Sequence, residues 1–324
     1  MESHKLFEES FRHDTSEYIL WIELSIPPLG SKKVKFVNHK SVFECERQDN
    51  CLKMVTVEKV SPESGQFELK NDNVNAVLDS NALEIRSSEN IAGNSKASIN
   101  EKLFKYDSIH TKSCVYTFKP TSYATEVKLS NQEYLKYTGS LINGIQVYGS
   151  DNDFHYDKTV LVKRGDGALH VTSRNFIKTR HDIELAQRYV NSDMKEMYTG
   201  DSLAFIKREY IDYETAITRN LTRSSSKSDK DVLGLSTYPM VDGFIGSFAN
   251  GSNVGFVNSQ ACAAHLVSPT DFEFLIARSV MNVNQDKGLP ERLYEKIQTH
   301  FNYKVFVNND INELYNEKNK YVGK

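Results

Sequence analysis

The sequence has 324 residues, of which 39% are hydrophobic and 26% charged, with a formal net charge of −3 at pH 7. This length allows one large β domain or two ordinary domains. The composition excludes a disordered chain, and the negative net charge gives no electrostatic basis for binding nucleic acid. No apolar run reaches the ~18 residues that a membrane helix needs, and the first residues lack the apolar core of a secretory signal.

Apolar and polar residues alternate along much of the chain, and turn-forming residues separate the alternating runs. Residues 18–26 are rich in β-formers and end at Pro27-Pro28-Leu29-Gly30, after which residues 34–37 resume the pattern. The same criteria predict further strands at residues 54–60, 67–70, 82–85, 115–118, 141–148, 159–163, 169–172, 203–206, 243–248 and 303–307. So many strands predict an all-β sandwich.

Two segments, residues 183–190 and 311–318, are also compatible with a short amphipathic helix. The polar, turn-prone sequence between residues 38 and 75 predicts a domain boundary. We place it after residue 60, so that a small β domain of residues 1–60 precedes a larger one of residues 61–324.

Cysteines and glycosylation motifs give little functional information. The cysteines are too scattered for a disulfide framework or a zinc cluster, although the first two could pair in an oxidising compartment; they are Cys45, Cys51, Cys114 and Cys262. Asn220-Leu-Thr and Asn250-Gly-Ser are sequons, so Asn220 and Asn250 are possible glycosylation sites if the protein is secreted.

No motif defines a catalytic centre. Acidic residues surround His155 in Asp151-Asn-Asp-Phe-His-Tyr-Asp157, but their spacing matches no regular calcium or zinc loop, so we predict a solvated turn. Arg164-Gly-Asp-Gly167 contains an adhesion-like tripeptide and is predicted to be a hairpin turn. Cys262-Ala-Ala-His265 has no third group that would orient a nucleophile.

An ordered series of short signatures resembles glycoside hydrolase family 38, the zinc-dependent α-mannosidases. Tyr198-Thr-Gly-Asp201 with Lys207-Arg208 is similar to the family's Phe-Tyr-Thr-Asp-(Ser/Asn)-Gly…Arg-Arg segment, and Glu184…Arg188-Tyr189 to its Glu-Val…Arg-Phe strand. The second similarity favours a strand at residues 183–190. Further signatures follow the family's order at residues 26–30, 113–120, 238–240, 253–260, 273–279 and 286–289.

The resemblance implies the C-terminal, non-catalytic β portion of such an enzyme. The expected fold is a small β-sandwich followed by a galactose-mutarotase-like super-sandwich, which in the family packs against the catalytic domain and helps to shape the substrate cleft. Arg278 is retained where this sheet approaches the sugar, so it is our candidate substrate-proximal residue, with a surface ion pair as the alternative. Ser279, Asn284 and Lys287 replace the family's charged residues, and a lysine is a poor substitute for a forked arginine contact.

The family's catalytic segments belong to a preceding (β/α) domain. They are a His-x-Asp metal pair near the start of that domain, Gly-Trp-Gln-Ile-Asp-Pro-Phe-Gly-His, which carries the nucleophilic Asp, and a later His-His-Asp. Neither of the last two occurs, and the only tryptophan is Trp21. We therefore expect no catalytic residue and no metal ligand in this chain, with Zn²⁺ bound by the missing domain. The expected partners are that catalytic domain, in cis or as a separate chain, and a mannose-containing glycan. By resemblance, the location is the lysosome or secretory pathway.

Two other functions remain open from the sequence. One is a stand-alone carbohydrate-binding or scaffolding β-sandwich without catalytic activity, because a fold does not determine a function. The other is a mutarotase-like enzyme, which would need a histidine and a carboxylate converging on one sheet face. No spacing in the sequence nominates such a pair.

Overall fold

The structure, a computed structural model of the chain, describes residues 55–62, 65–91, 93–107, 113–114, 117–120, 122–178, 182–190, 193–201, 203–221, 232–281, 293 and 298–322. Its strands, in chain order, are β1 Thr56–Val60, β2 Gln66–Lys70, β3 Val74–Asp79, β4 Ile85–Asn90, β5 Ser95–Ser98, β6 Glu101–Asp107, β7 Thr125–Glu126, β8 Ser130–Thr138, β9 Ile142–Ser150, β10 Phe154–Lys163, β11 Leu169–Ile177, β12 Ile183–Tyr189, β13 Met194–Gly200, β14 Phe205–Arg208, β15 Thr237–Met240, β16 Gly243–Phe248, β17 Asn253–Asn258, β18 Cys262–Leu266, β19 Phe272–Ser279 and β20 Thr299–Asn308. The helices are α1 Tyr213–Thr218 and α2 Ile311–Val322.

These strands form three antiparallel sheets. The largest has ten strands in the order β1-β8-β9-β10-β11-β20-β17-β16-β13-β14. The second has six, in the order β15-β18-β19-β12-β6-β7, and the third has four, β2-β3-β4-β5. Neither helix among the described residues is long and apolar enough to cross a membrane.

Alternating side chains give the ten-stranded sheet an inner and an outer face. Along β10, Tyr156, Lys158 and Val160 are buried toward the interior, whereas the residues between them lie on the outer face. The register with β9 and β11 pairs Asp157 with Tyr148 and Arg174, so polar side chains gather on the outer face.

Aromatic rings fill the space between the ten- and six-stranded sheets. Phe244 of β16 stacks on Phe272 of β19, with ring centroids 3.9 Å apart, and Tyr189 of β12 stacks on the same ring at 4.7 Å. Phe256 of β17 lies 4.7 Å from Tyr189. Rings from both sheets therefore pack into one continuous core, to which the four-stranded sheet adds residues such as Leu78.

Helix α2 covers part of the outer face of the ten-stranded sheet. Its Leu314 packs on Ile245, Val257 and Phe306. One turn further, the Lys318 ammonium lies 2.7 Å from a carboxylate oxygen of Asp242, and both side chains are buried. Residues 311–318, which the sequence left open as a short amphipathic helix, are helical. Their apolar positions, such as Leu314, face the sheet.

The prediction of an all-β sandwich is confirmed, and most predicted strands overlap observed ones. The strand predicted at residues 82–85 is wrong in its first half, because Asn81–Leu83 forms a 3-10 turn in which Ala82 and Leu83 have positive φ. Asn81 fixes this turn by donating to the carbonyl of Val127 and to Glu84.

The predicted division after residue 60 stays a prediction. Residues 1–54 lie outside the described part of the chain, and β1, which precedes the proposed boundary, pairs with β8 in the ten-stranded sheet. Cys45 and Cys51 also fall outside the described residues, while Cys114 and Cys262 form no disulfide bond within the described part of the chain.

Candidate functional site

Several of the sequence signatures converge on the outer face of the six-stranded sheet. Glu184 of β12 is opposite Arg278 of β19, and the guanidinium Nε of Arg278 donates to Glu184 Oε1 at 2.6 Å. The same guanidinium donates to the carbonyl oxygens of Cys114 and Thr117, at 3.2 and 3.0 Å. Three signatures that are far apart in sequence thus meet at one arginine.

Arg278 therefore links the six-stranded sheet to the segment that contains Cys114 and Thr117; we call this contact the clamp. Glu184 is fully buried and the Arg278 side chain is 19% exposed. An arginine suits this position because its planar fork bonds a carboxylate and two carbonyls at once. The ion pair is more buried than the surface pair considered from the sequence, and contact with a substrate stays a prediction.

A second buried network lies beside the clamp. Glu273 of β19 accepts from Tyr106 at 2.5 Å, from Arg188 Nε at 2.9 Å, and lies 2.8 Å from Nδ1 of His265. Burial raises the pKa of Glu273, but the hydrogen bond and charge of His265, and the charge of Arg188, outweigh it and hold the pKa below its usual range. The ring of Phe118 packs against the Tyr106 ring, with the two ring centroids 5.1 Å apart.

Two more signatures meet at the β13–β14 hairpin. Arg208 Nε donates to Thr199 Oγ1 at 2.7 Å, and its guanidinium lies 4.9 Å from the centre of the Tyr238 ring. In the turn, Asp201 accepts from the backbone N–H groups of Leu203 and Ala204. Asp201 therefore stabilises the turn of the hairpin, and Arg208 packs against Tyr238 of β15.

Of the three positions at which the sequence departs from the family's charged residues, only Ser279 is among the described residues. Ser279 is buried at the end of β19. Asn284, Lys287 and the remainder of residues 286–289 lie outside the described residues.

A polar cluster on the outer face of the ten-stranded sheet was missed by the sequence reasoning. Asp157 is 1% exposed, forms an ion pair with Arg174, and accepts from Gln146 Nε2 at 3.0 and 3.2 Å. Burial raises the pKa of Asp157 to about 6, although Arg174 and Gln146 favour the charged form. His155-Tyr156-Asp157 also has the His-x-Asp spacing of the family's metal pair, a signal that was present in the sequence.

This pair does not fit Zn²⁺. Both carboxylate oxygens of Asp157 are already engaged by Gln146, and His155 stacks on Phe176 with ring centroids 6.2 Å apart. Among the described residues, no group of three or more His, Cys, Asp or Glu side chains could hold a metal ion. Residues 151–153 form the turn between β9 and β10, where Asp151 and Asp153 bind Lys105 at 3.0 and 2.6 Å. The predicted solvated turn is wrong for His155 and Asp157, which lie in β10, and Asp157 is buried.

The remaining candidates are separated by the fold. Cys262 and His265 lie three residues apart on β18, so strand alternation turns them to opposite faces of the sheet. The Cys262 side chain packs against the core between the sheets, whereas the His265 imidazole contacts Glu273 on the outer face. Asn220 ends the turn after α1 and Asn250 lies in the β16–β17 turn, both exposed. Asn250 Oδ1 accepts from the Ser252 hydroxyl at 2.7 Å. Glycosylation of either asparagine stays a prediction.

Comparisons with known proteins give a fold but no family assignment from sequence. No protein-family model matches the chain, and a search of curated proteins finds no significant match. Among solved structures, an α-mannosidase from Enterococcus faecalis V583 is similar over 82% of this chain and 32% of its own, with a TM-score of 0.55 and 9% identity. A glycosyl hydrolase family 38 protein from Enterococcus faecalis is similar over 82% and 33%, with a TM-score of 0.56 and 9% identity.

The protein is thus a β-sandwich of a kind found in glycosidases. More narrowly, the fold is like the C-terminal β portion of glycoside hydrolase family 38 enzymes, and at 9% identity the likeness extends to the fold alone. The chain spans about a third of the length of these two structures.

Proposed function

We propose that this chain is the non-catalytic C-terminal β portion of an α-mannosidase-type glycosidase. In this role it would support a separate zinc-binding catalytic domain that removes terminal α-mannose from glycans by retaining hydrolysis. The observation that carries the proposal is the fold likeness to a family 38 α-mannosidase over 82% of the chain. All chemistry on the sugar is assigned to residues outside this chain.

The placement of the signature residues supports a structural role. Glu184 pairs with Arg278, and Arg188 pairs with Glu273, so the motif residues bond to one another. Glu184 and Glu273 are fully buried, whereas hydrolysis of a glycoside needs two carboxyl groups that face the sugar. Residues that hold this sheet together are those expected in a domain that serves as a platform.

Activity measurements test the proposal. The purified chain should not hydrolyse an aryl α-mannoside, with or without added Zn²⁺, and it should bind a family 38 catalytic (β/α) chain and increase its activity or stability. Zinc-dependent hydrolysis by this chain alone would show that the chemistry has been placed in the wrong domain.

A stand-alone carbohydrate-binding or scaffolding sandwich is the alternative. If the chain neither binds the catalytic chain nor changes its activity, but binds glycans, this alternative is favoured. Arg278→Lys, which keeps a cation beside Glu184, would test contact with substrate in the same assembly: a higher KM with unchanged kcat supports substrate proximity.

A further inference from the structure

Three polar side chains meet in the core of the sandwich, between the ten- and six-stranded sheets. Lys158 comes from β10, Glu101 from β6 and Gln187 from β12. None of the three is more than 1% exposed. Burying an amine, an acid and a carboxamide together is unfavourable unless each group has partners, so their contacts need a specific explanation.

One carboxylate oxygen of Glu101 contacts both of the neighbouring nitrogen atoms. Glu101 Oε1 accepts from the Lys158 ammonium and, at 3.0 Å, from Gln187 Nε2. Lys158 Nζ also donates to the carbonyl oxygen of Leu83 at 2.9 Å, which holds the amine in place. The lysine amine and the glutamine carboxamide are therefore adjacent, and a single acceptor atom lies between them.

The carboxamide of Gln187 is only half satisfied. Its Nε2 donates to Glu101 and, at 3.3 Å, to the Tyr156 hydroxyl. Its Oε1 is buried and accepts no hydrogen bond within the described part of the chain. An unsatisfied buried acceptor is uncommon in a native core, and here it belongs to the group that lies beside the amine.

The surroundings exclude water and disfavour separated charges. Burial, and then the charge of Glu101, raises the pKa of the tyrosines around the acid, Tyr156, Tyr189 and Tyr303. Burial also raises the pKa of Glu101, although the charge and the hydrogen bond of Lys158 lower it. A proton can pass from the ammonium to the carboxylate in such a site, because water stabilises neither charge. The resulting neutral amine is a nucleophile.

We propose that Lys158 and Gln187 form an isopeptide bond that links the two large sheets. Lys158 Nζ attacks Cδ of Gln187, and the bond between Cδ and Nε2 breaks. Glu101 takes a proton from the attacking amine and delivers it to Nε2, which leaves as ammonia. The products are one secondary amide and one molecule of ammonia, so the reaction needs no oxidant, reductant or further reactant.

The observed contacts match these roles. Glu101 Oε1 already bonds the attacking nitrogen and the leaving nitrogen, which is the arrangement that a proton shuttle requires. The carbon that is attacked is covalently bound to Nε2, so rotation about side-chain bonds brings Nζ to it. Fixing the amine beside the carboxamide replaces an encounter in solution by a reaction within one site, and burial keeps water from competing with the amine.

The bond would join two sheets that pack through side chains. β10 belongs to the ten-stranded sheet and β12 to the six-stranded sheet. A covalent link between them restricts the unfolded chain, as a disulfide does, and does not depend on the redox compartment. This inference concerns the chain by itself and does not rest on the proposed mannosidase role, which activity and docking measurements test separately.

Intact mass spectrometry of the full 324-residue chain tests the proposal. We expect a mass about 17 Da below that of the sequence, which is the mass of one ammonia molecule. Digestion in denaturant should give a branched peptide that joins the segment containing Lys158 to the segment containing Gln187. Acetylation of the unfolded chain should leave Lys158 unmodified and should modify Lys163, five residues further along β10.

Two variants assign the roles. Lys158→Met keeps an unbranched side chain and removes the nucleophile, and Glu101→Gln keeps the size of the acid and removes the proton shuttle. Each should have the full mass of its own sequence. Lys163→Met, on the outer face of the same strand, is the matched control and should keep the deficit of about 17 Da. If a variant does not fold, the mass and the branched peptide of the unaltered chain still decide.

Three results would overturn the proposal. The first is a full sequence mass for the folded chain, which would leave Lys158 and Glu101 as a buried ion pair only. The second is a deficit of about 17 Da that mild alkali removes, because a succinimide at an exposed Asn-Gly pair such as Asn250-Gly251 hydrolyses and an isopeptide bond does not. The third is a deficit that persists in Lys158→Met, which would place the loss of ammonia elsewhere in the chain.

Discussion

Glu84 gives the sharpest prediction about stability, because it is a buried acid whose hydrogen-bond donors, the Leu103 N–H and the Asn81 amide, are uncharged. Its Oε1 accepts from the Leu103 N–H at 3.2 Å and from Asn81 Nδ2 at 3.0 Å, and the side chain is 3% exposed. Burial, with smaller contributions from the charges of Glu101 and Asp79, raises the pKa of Glu84 to about 7 against the two hydrogen bonds.

The sign of the pH dependence follows from this shift. The folded state holds the Glu84 proton more tightly than the unfolded chain, whose pKa is 4.5. The contribution to stability is therefore complete below pH 4.5 and is lost as the pH rises through 7. A shift of this size corresponds to about 3 kcal/mol between those limits, at roughly 1.4 kcal/mol per pKa unit.

Glu84→Gln should remove this dependence. The amide keeps the oxygen acceptor and carries no charge, so we expect little change in the free energy of unfolding at pH 4.5 and a stabilisation of up to about 3 kcal/mol at pH 8. Urea unfolding of the variant and the parent at pH 4.5, 6 and 8 gives the difference, in which other titrating groups cancel. Glu133→Gln, in an exposed pair with Lys59, is the control and should change little at any pH. A difference for Glu84→Gln that is the same at all three pH values would refute the reasoning.

Three further predictions test the packing described above. Arg278→Ala should destabilise the protein by about 3–5 kcal/mol in urea unfolding, because it removes the guanidinium that neutralises the buried carboxylate of Glu184; a loss below about 1 kcal/mol would show that this ion pair is not a stabilising contact. Lys318→Ala should weaken hydrogen-exchange protection in α2, and adding Asp242→Asn should restore part of it, since the second change removes the unpaired charge. Phe272→Ala should cost about 3–5 kcal/mol by opening a cavity between the two large sheets, and a calorimetric midpoint close to that of the parent would contradict it.

The signature series is explained by pairing across strands. Glu184 and Arg278 are 94 residues apart in sequence, yet they are direct partners in the register of β12 and β19. A change at one of these positions leaves a buried charge at the other, which is costly. Glu184 and Arg278 therefore depend on each other for the burial of their charges.

The sequence alone predicted the strands that have one buried face and one polar face. Segments such as β10 and β11 alternate in this way, and helix α2 shows its apolar positions at helical spacing. Residues 183–189 could not be assigned from the pattern, because six of the seven are buried and both faces of the strand are covered. There the family resemblance, and not periodicity, gave the strand.

Tertiary structure decided the sites. Sheet order and register bring Asp157 to Arg174 and Arg278 to Glu184, and the packing of α2 on the ten-stranded sheet buries Lys318 beside Asp242. None of these contacts is local: each depends on which elements become neighbours, and composition and spacing do not encode that order. The sequence determined that the chain is an all-β sandwich, and the fold determined that two sets of its motif residues, Glu184 with Arg278 and Arg188 with Glu273, are buried pairs.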